Sequence, residues 1–320
     1  MSNNKNKRLI ISISIFLVLA IIVILQVFVF NKRNERNFKD ILNPVESYTI
    51  DKVEFNMPNL NSPTLLTKEN EVWKVSRNDT IYTADNSFVE NILNITTNVK
   101  PARVVAVSKD KFEENNFKDD FTIPVKYFSK GKVVAEYEIG GFEYKQIPAA
   151  SPQSRPRDVI YTFIKEPKSE IIYAIEGFLR QFFNNDLSTL RNKTVYSINK
   201  DDILEIVGIF NDQSNNFSLT KDNEELWIYN GNNIDEENIK SVQSYLQKAS
   251  SLTNPNFFDG EYSKVNLESI SIKGNNFSPI TINFYPVEGT EDYIIKSNTY
   301  NESVFLDRNG TIRSRFIFNL

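Results

Sequence analysis

Leu66-Thr67-Lys68-Glu69-Asn70-Glu71-Val72-Trp73 returns later in the chain as Leu219-Thr220-Lys221-Asp222-Asn223-Glu224-Glu225-Leu226-Trp227, with one residue inserted. These two segments hold the only two tryptophans among 320 residues. Upstream, Ser47-Tyr48-Thr49-Ile50-Asp51-Lys52-Val53 parallels Val195-Tyr196-Ser197-Ile198-Asn199-Lys200. Downstream, Asp85 precedes an apolar spacing Phe88, Val89, Ile92, Leu93, and Asp235 precedes Ile239, Val242, Leu246. Both spacings predict one apolar helix face, and each aspartate stands where an N-cap would satisfy free amides of the first turn. Pro101 and Pro255 follow the two helices at similar distances. A pattern repeated at domain-sized spacing, present only twice, argues for two related domains and not for a solenoid.

Beyond each helix the period changes from 3.6 to 2. Residues 125–128 and 133–139 flank Ser129-Lys130-Gly131-Lys132, while residues 270–272 and 280–284 flank Lys273-Gly274-Asn275-Asn276. Both read as hairpins in which glycine supplies the turn. Further strands are expected at 159–164, 171–175, 293–295 and 304–306. Residues 178–183 read as a helix leading to Leu190-Arg191-Asn192-Lys193, and residues 313–318 alternate like a closing strand. The sequence therefore predicts an α+β chain of two similar halves, each a largely antiparallel sheet with a helix, spanning 45–191 and 192–320.

The remaining segment is of another kind. Residues 9–30 carry no charge and span ~33 Å at 1.5 Å per residue, enough for a hydrocarbon core of ~30 Å. The run exceeds a signal-peptide core and ends in Val27-Phe28-Val29-Phe30, which no small-residue cleavage site resembles. It reads as an uncleaved transmembrane anchor between a cytoplasmic tail, 1–8, and a linker, 31–44. Lys5, Lys7 and Arg8 before it nearly balance Lys32, Arg33, Arg36 and Lys39 after it, so flanking charge leaves the orientation open.

Composition excludes more than it assigns. The 40% hydrophobic and 24% charged content is that of a globular chain, and a net charge of −4 gives no reason to expect nucleic acid. Absence of cysteine rules out disulfides and thiol chemistry. Absence of histidine removes the usual base near neutral pH and any histidine-based triad. Without a Walker A motif the chain itself binds no nucleotide of that class. The acidic runs at 222–225 and 235–237 lack EF-hand spacing, so no metal is expected, nor any cofactor.

The sequence resembles the bacterial family called domain of unknown function 4340. The matching features are the basic N-terminus and single span, Ile50-Asp51-Lys52-Val53, Glu71-Val72-Trp73-Lys74-Val75, Ala84-Asp85, and Leu190-Arg191-Asn192-Lys193 between the halves. Many members of that family have Asp where this chain has Asn192. The resemblance implies an accessory protein beside an ABC exporter of the gliding-associated type, whose ABC permease and auxiliary membrane subunit would be its partners. It also implies a location in the cytoplasmic membrane, N-terminus inside and the C-terminal domain extracytoplasmic (periplasmic).

Two features invite a functional reading. Trp73 and Trp227 are suited to line a ligand groove, since aromatic faces bind sugars and lipids, but alternation with Val72, Val75, Leu226 and Ile228 favours packing. The stretch 145–168 carries Lys145, Arg155, Arg157, Lys165 and Lys168 against Asp158 and Glu166, with four prolines. Within it, 146–156 shows no strand or helix period. It is a solvated connector or a loop that binds a partner or lipid headgroup through Lys145, Arg155 and Arg157. The role expected overall is a non-catalytic accessory or substrate-holding subunit of an exporter. The alternatives are an envelope enzyme using a carboxylate pair on glycan or peptide, and a stand-alone ligand-binding module.

Overall fold

Period-two burial and tight turns build most of this chain. The computed structural model describes residues 46–97, 99–149, 155–183, 186–222, 224–265 and 268–320. The expected tail, transmembrane anchor and linker lie outside the described residues. Among the described residues, no helix is long and apolar enough to cross a membrane. Two compact units are distinguished, one within 1–80 and 87–185, the other within 81–86 and 186–320.

The first sheet contains β1 (Lys52–Phe55), β2 (Thr64–Glu69), β3 (Val72–Arg77), β4 (Thr80–Thr83), β5 (Pro101–Ala106), β6 (Ile123–Ser129), β7 (Lys132–Ile147), β8 (Arg157–Lys165) and β9 (Ile172–Glu176). Helix α1 (Asn86–Thr96) follows β4. The strand order is β4-β3-β2-β1-β6-β7-β8-β9-β5. β2 and β3 join through Asn70-Glu71, and β6 and β7 through Lys130-Gly131, with positive φ at both loop residues in each case. That is the backbone a two-residue hairpin demands, and asparagine and glycine reach it at least cost. α1 buries Val89, Ile92, Leu93 and Thr96, the i, i+3, i+4, i+7 stripe. Val53, Val75, Val125, Tyr127, Tyr137 and Ile139 are buried completely, and the Tyr127 and Tyr137 hydroxyls meet at 2.8 Å. The Tyr137 hydroxyl also donates to the Thr96 carbonyl at 3.1 Å, so this buried polar pair is satisfied by the last turn of α1.

The second unit contains β10 (Thr194–Ser197), β11 (Ile203–Ile209), β12 (Phe217–Lys221), β13 (Trp227–Tyr229), β14 (Asn232–Asn233), α2 (Ile239–Ala249), β15 (Ser251–Thr253), β16 (Glu268–Gly274), β17 (Ile280–Pro286), β18 (Tyr293–Ser297), β19 (Phe305–Asp307) and α3 (Thr311–Ser314). Its main sheet runs β14-β13-β12-β11-β16-β17-β18-β19. Taken from the first strand of each, this repeats the first sheet's order over eight positions, without a counterpart of β5 at the end. α2 buries Val242, Tyr245, Leu246 and Ala249, again i, i+3, i+4, i+7. β15 pairs with β10 apart from the main sheet, while Phe257 bridges Phe305 on β19, at the edge that corresponds to β9, beside which β5 lies in the first sheet.

Several expectations need correction. Residues 47–49 form a short 3-10 turn before β1, whereas the residues set against them, 195–197, lie in the strand β10. Asp85 does stand directly before α1, but Asp235 caps nothing. α2 begins at Ile239 after Asn238, and Asp235 only accepts the Asn238 amide on its carbonyl at 2.9 Å. Residues 178–183 give a single 3-10 turn, Leu179–Phe182. The expected closing strand at 313–318 is absent because the buried Asp307 carboxylate takes the amides of Ile312 and Arg313 at 2.8 Å each, starting a helical turn. Asn309 and Gly310, both at positive φ, bend the chain into it, and Phe316 and Phe318 then enter the core.

Candidate functional site

The two tryptophans prove to be nearly buried, with exposures of 1% for Trp73 and 6% for Trp227. Each borders an open groove beside its helix. The first groove, about 280 Å³, is lined by Ser47, Tyr48, Ile50, Lys68, Trp73, Glu90, Leu93 and Asn94. The second, about 270 Å³, is lined by Lys221, Glu225, Leu226, Trp227, Asn233, Ile234, Ile239 and Gln243. Matching the buried stripes, Val89 with Val242 and Leu93 with Leu246, sets Glu90 against Gln243. Lys68 matches Lys221 through the shared Leu-Thr-Lys. Three lining positions therefore recur: a lysine, a tryptophan, and a side chain ending in an Oε acceptor.

At each rim the lysine is paired across the turn. Lys68 Nζ lies 2.6 Å from Glu71, and Lys221 Nζ lies 3.3 Å from Glu225. The residue inserted in the second copy lengthens the turn, which Asp222 organises by accepting the amides of Glu224 and Leu226 at 2.9 and 2.8 Å. Glu225 adopts the positive φ that Glu71 has in the first copy.

A third cavity, about 390 Å³, lies in the first unit between residues 56–60, the 112–119 segment and β7–β8. At its wall Lys165 is buried, with Nζ 2.5 Å from Glu138 Oε2 and 4.9 and 5.6 Å from the centres of the Phe112 and Phe117 rings. A buried ammonium requires such partners. Gly140 and Gly141 let this segment approach β7, because a Cβ at Gly140 would stand 2.7 Å from the Phe117 ring and 2.9 Å from the Asn115 carbonyl.

In the second unit, Arg191 is 1% exposed. Its guanidinium lies 3.5 Å from the Tyr82 ring centre and 3.8 Å from that of Phe257, and Nη1 donates to both Asp259 carboxylate oxygens at 2.9 Å. Among the described residues, the buried Nε and Nη2 meet no hydrogen-bond partner, so stacking against two aromatic faces carries the contact. Burial raises the Tyr82 hydroxyl's pKa against the opposing pull of Arg191. Glu268, 1% exposed, accepts from Arg313 Nε, from Arg313 Nη2 at 2.7 Å and from the Asn211 amide at 3.1 Å. This bond raises the Arg313 pKa further.

Lys145 and Arg157 belong to strands and not to a loop. β7 and β8 stay paired out to Ile147↔Arg157, well past the last β6 partner at Ile139. Lys145 lies 3.4 Å from Glu143, whose carboxyl burial would raise but Arg103 and Lys145 hold below its usual range. Arg157 pairs with Glu176 at 2.8 Å, both half-exposed or more. Arg155 is exposed before β8. Lys145 and Arg157 lie on neighbouring strands, Lys145 opposite Val159 and Arg157 opposite Ile147, and each is engaged by its own glutamate.

The grooves' Oε positions, Lys165 with Glu138, and Glu268 with Arg313 escape sequence reasoning, since each pairs residues from separate elements. The one usable signal was the repeated lysine before each tryptophan. Among the described residues no group of three acidic side chains is placed to hold a metal ion. No protein-family model, no curated protein and no solved structure matches the chain.

Proposed function

We propose that the chain is a membrane-anchored, extracytoplasmic accessory subunit of an ABC exporter complex, holding substrate or an envelope component without catalysing a reaction. The observation that carries this reading is one strand order met twice, each time with a groove between the tryptophan strand and its helix. Two halves derived from one unit, 45–191 and 192–320, offer repeated binding surface, which suits a holding or scaffolding role. The uncharged run 9–30 supports anchorage, and the resemblance to the domain of unknown function 4340 family supports the exporter as partner. In this reading residues 1–8 remain cytoplasmic, residues 9–30 pack in the bilayer beside the ABC permease and auxiliary membrane subunit, and the folded part stands outside. The ATPase is a separate chain.

Co-purification tests it. The full chain, tagged at its C-terminus and extracted in a mild detergent, should bring down a permease and an ATPase in fixed proportion. Isolation as a clean monomer from cells expressing the transporter would overturn the proposal.

A further inference from the structure

We infer that the groove between α2 and the segment 314–319 binds a phosphate monoester. The groove holds about 720 Å³, and Lys240, Lys248 and Arg315 line it with no carboxylate side chain among them. None of the three is engaged in an ion pair among the described residues. Arg313, two positions from Arg315, shows the contrast, since it is paired with the buried Glu268. In a protein of net charge −4, a groove lined by one sign of charge concentrates the opposite ion.

The sequence sets these groups on one helical face. At 3.6 residues per turn Lys240, Ser241, Ser244 and Lys248 fall within ~100° of arc, away from the buried stripe. The Ser241 and Ser244 hydroxyls have no hydrogen-bond partner among the described residues, so they are available to donate to an oxyanion beside the lysines. Packing does not require the lysines. Matching Val89 with Val242 sets Ser87 and Ile95 of α1 at the positions of Lys240 and Lys248, and α1 buries the corresponding stripe without them. The facing wall is fixed before a ligand arrives. The Tyr245 hydroxyl donates to the Phe316 carbonyl at 2.9 Å, and its ring stacks on Phe318 at 4.4 Å, which holds the backbone of Arg315 against α2.

Three unpaired cations and two hydroxyls offer more charge and more donors than one carboxylate uses. A phosphate monoester carries about −1.5 to −2 at neutral pH and three acceptor oxygens. An arginine fork takes two of these, while lysines act as point charges. The volume lies within the ~300–1,000 Å³ common for small ligands, which leaves room for the ester's organic part beside the half-buried Ile317. Glycerol 3-phosphate and the headgroup of phosphatidic acid present this same chemistry, one in solution and one on a membrane.

Full-length protein in phosphatidylcholine nanodiscs would be titrated with glycerol 3-phosphate by calorimetry. In a second arm it would be floated with phosphatidylcholine vesicles, with and without phosphatidic acid. Saturable heat, or flotation that depends on phosphatidic acid, supports the site and tells which source fills it. Lys240→Gln, Lys248→Gln and Arg315→Gln should each weaken binding about fivefold, the upper end for an exposed ion pair, with melting unchanged. A control, Lys132→Gln with Lys168→Gln and Lys264→Gln, removes three exposed charges elsewhere and should bind as the parent does. Absence of binding in both arms, binding indifferent to the groove substitutions, or an equal loss in the control would overturn the inference. The site needs no transporter, so its failure is distinct from failure of the exporter reading.

Discussion

Replacing Arg313 with methionine isolates a buried carboxylate. Glu268 is 1% exposed and, among the described residues, keeps the Asn211 amide at 3.1 Å as its one partner once the guanidinium is gone. Two charge-assisted hydrogen bonds disappear, and the Arg313 guanidinium no longer lies over the Phe210 and Tyr293 rings. Breaking such a pair from one side costs ~3–5 kcal/mol, because a charge is left buried without compensation. Removing both partners with Glu268→Leu and Arg313→Met should recover most of this, leaving ~1–2 kcal/mol for the orphaned Asn211 amide and imperfect packing. Urea unfolding followed by Trp227 fluorescence in a Trp73→Phe background reads the second unit alone, since Trp227 lies in its core. A single-mutant loss under ~1 kcal/mol, or a double mutant no better than the single, would refute the argument that burial sets the magnitude.

Gly140→Ala should destabilise the first unit by ~1–3 kcal/mol, read as a lower urea midpoint, because its Cβ meets the Phe117 ring at 2.7 Å and the Asn115 carbonyl at 2.9 Å. Arg103→Met should move the Glu143 carboxyl back up toward its ordinary value, seen by carbon NMR titration. Since the native pKa is lowered, the stability that Arg103 confers is present at neutral pH and fades as pH falls through the native value of Glu143, so wild type and variant should converge in acid. Arg155→Ser with Arg157→Ser should leave the melting temperature nearly unchanged, because the Arg157–Glu176 pair is solvent-screened.

How much of this was legible in the sequence depended on the range of the interaction. Strands at 125–128, 159–164, 270–272 and 280–284 follow from local alternation and appear within a few residues of expectation. The helix faces were readable for the same reason: of the expected stripes Phe88-Val89-Ile92-Leu93 and Ile239-Val242-Leu246, Val89, Ile92, Leu93, Val242 and Leu246 are buried, while Tyr245 joins the second face unannounced. Misreadings arose where a distant partner decided. Residues 313–318 alternate like a strand, but Asp307 captures the amides that a strand would have offered to a neighbour. Lys145 and Arg157 looked like loop residues because the prolines at 148, 152 and 156 hide the outer pairing of β7 with β8, which is set from the sheet. The grooves were half visible. Repeated Lys and Trp pointed to them, while the match of Glu90 with Gln243 emerges only when the two helices are aligned by burial.

The exporter reading depends on where residues 46–320 reside. The most direct measurement is protease added to intact spheroplasts carrying the full chain with a C-terminal epitope. The account predicts loss of the epitope without lysis, leaving a short membrane-protected fragment around residues 9–30. Protection of the whole chain until the membrane is broken would contradict it.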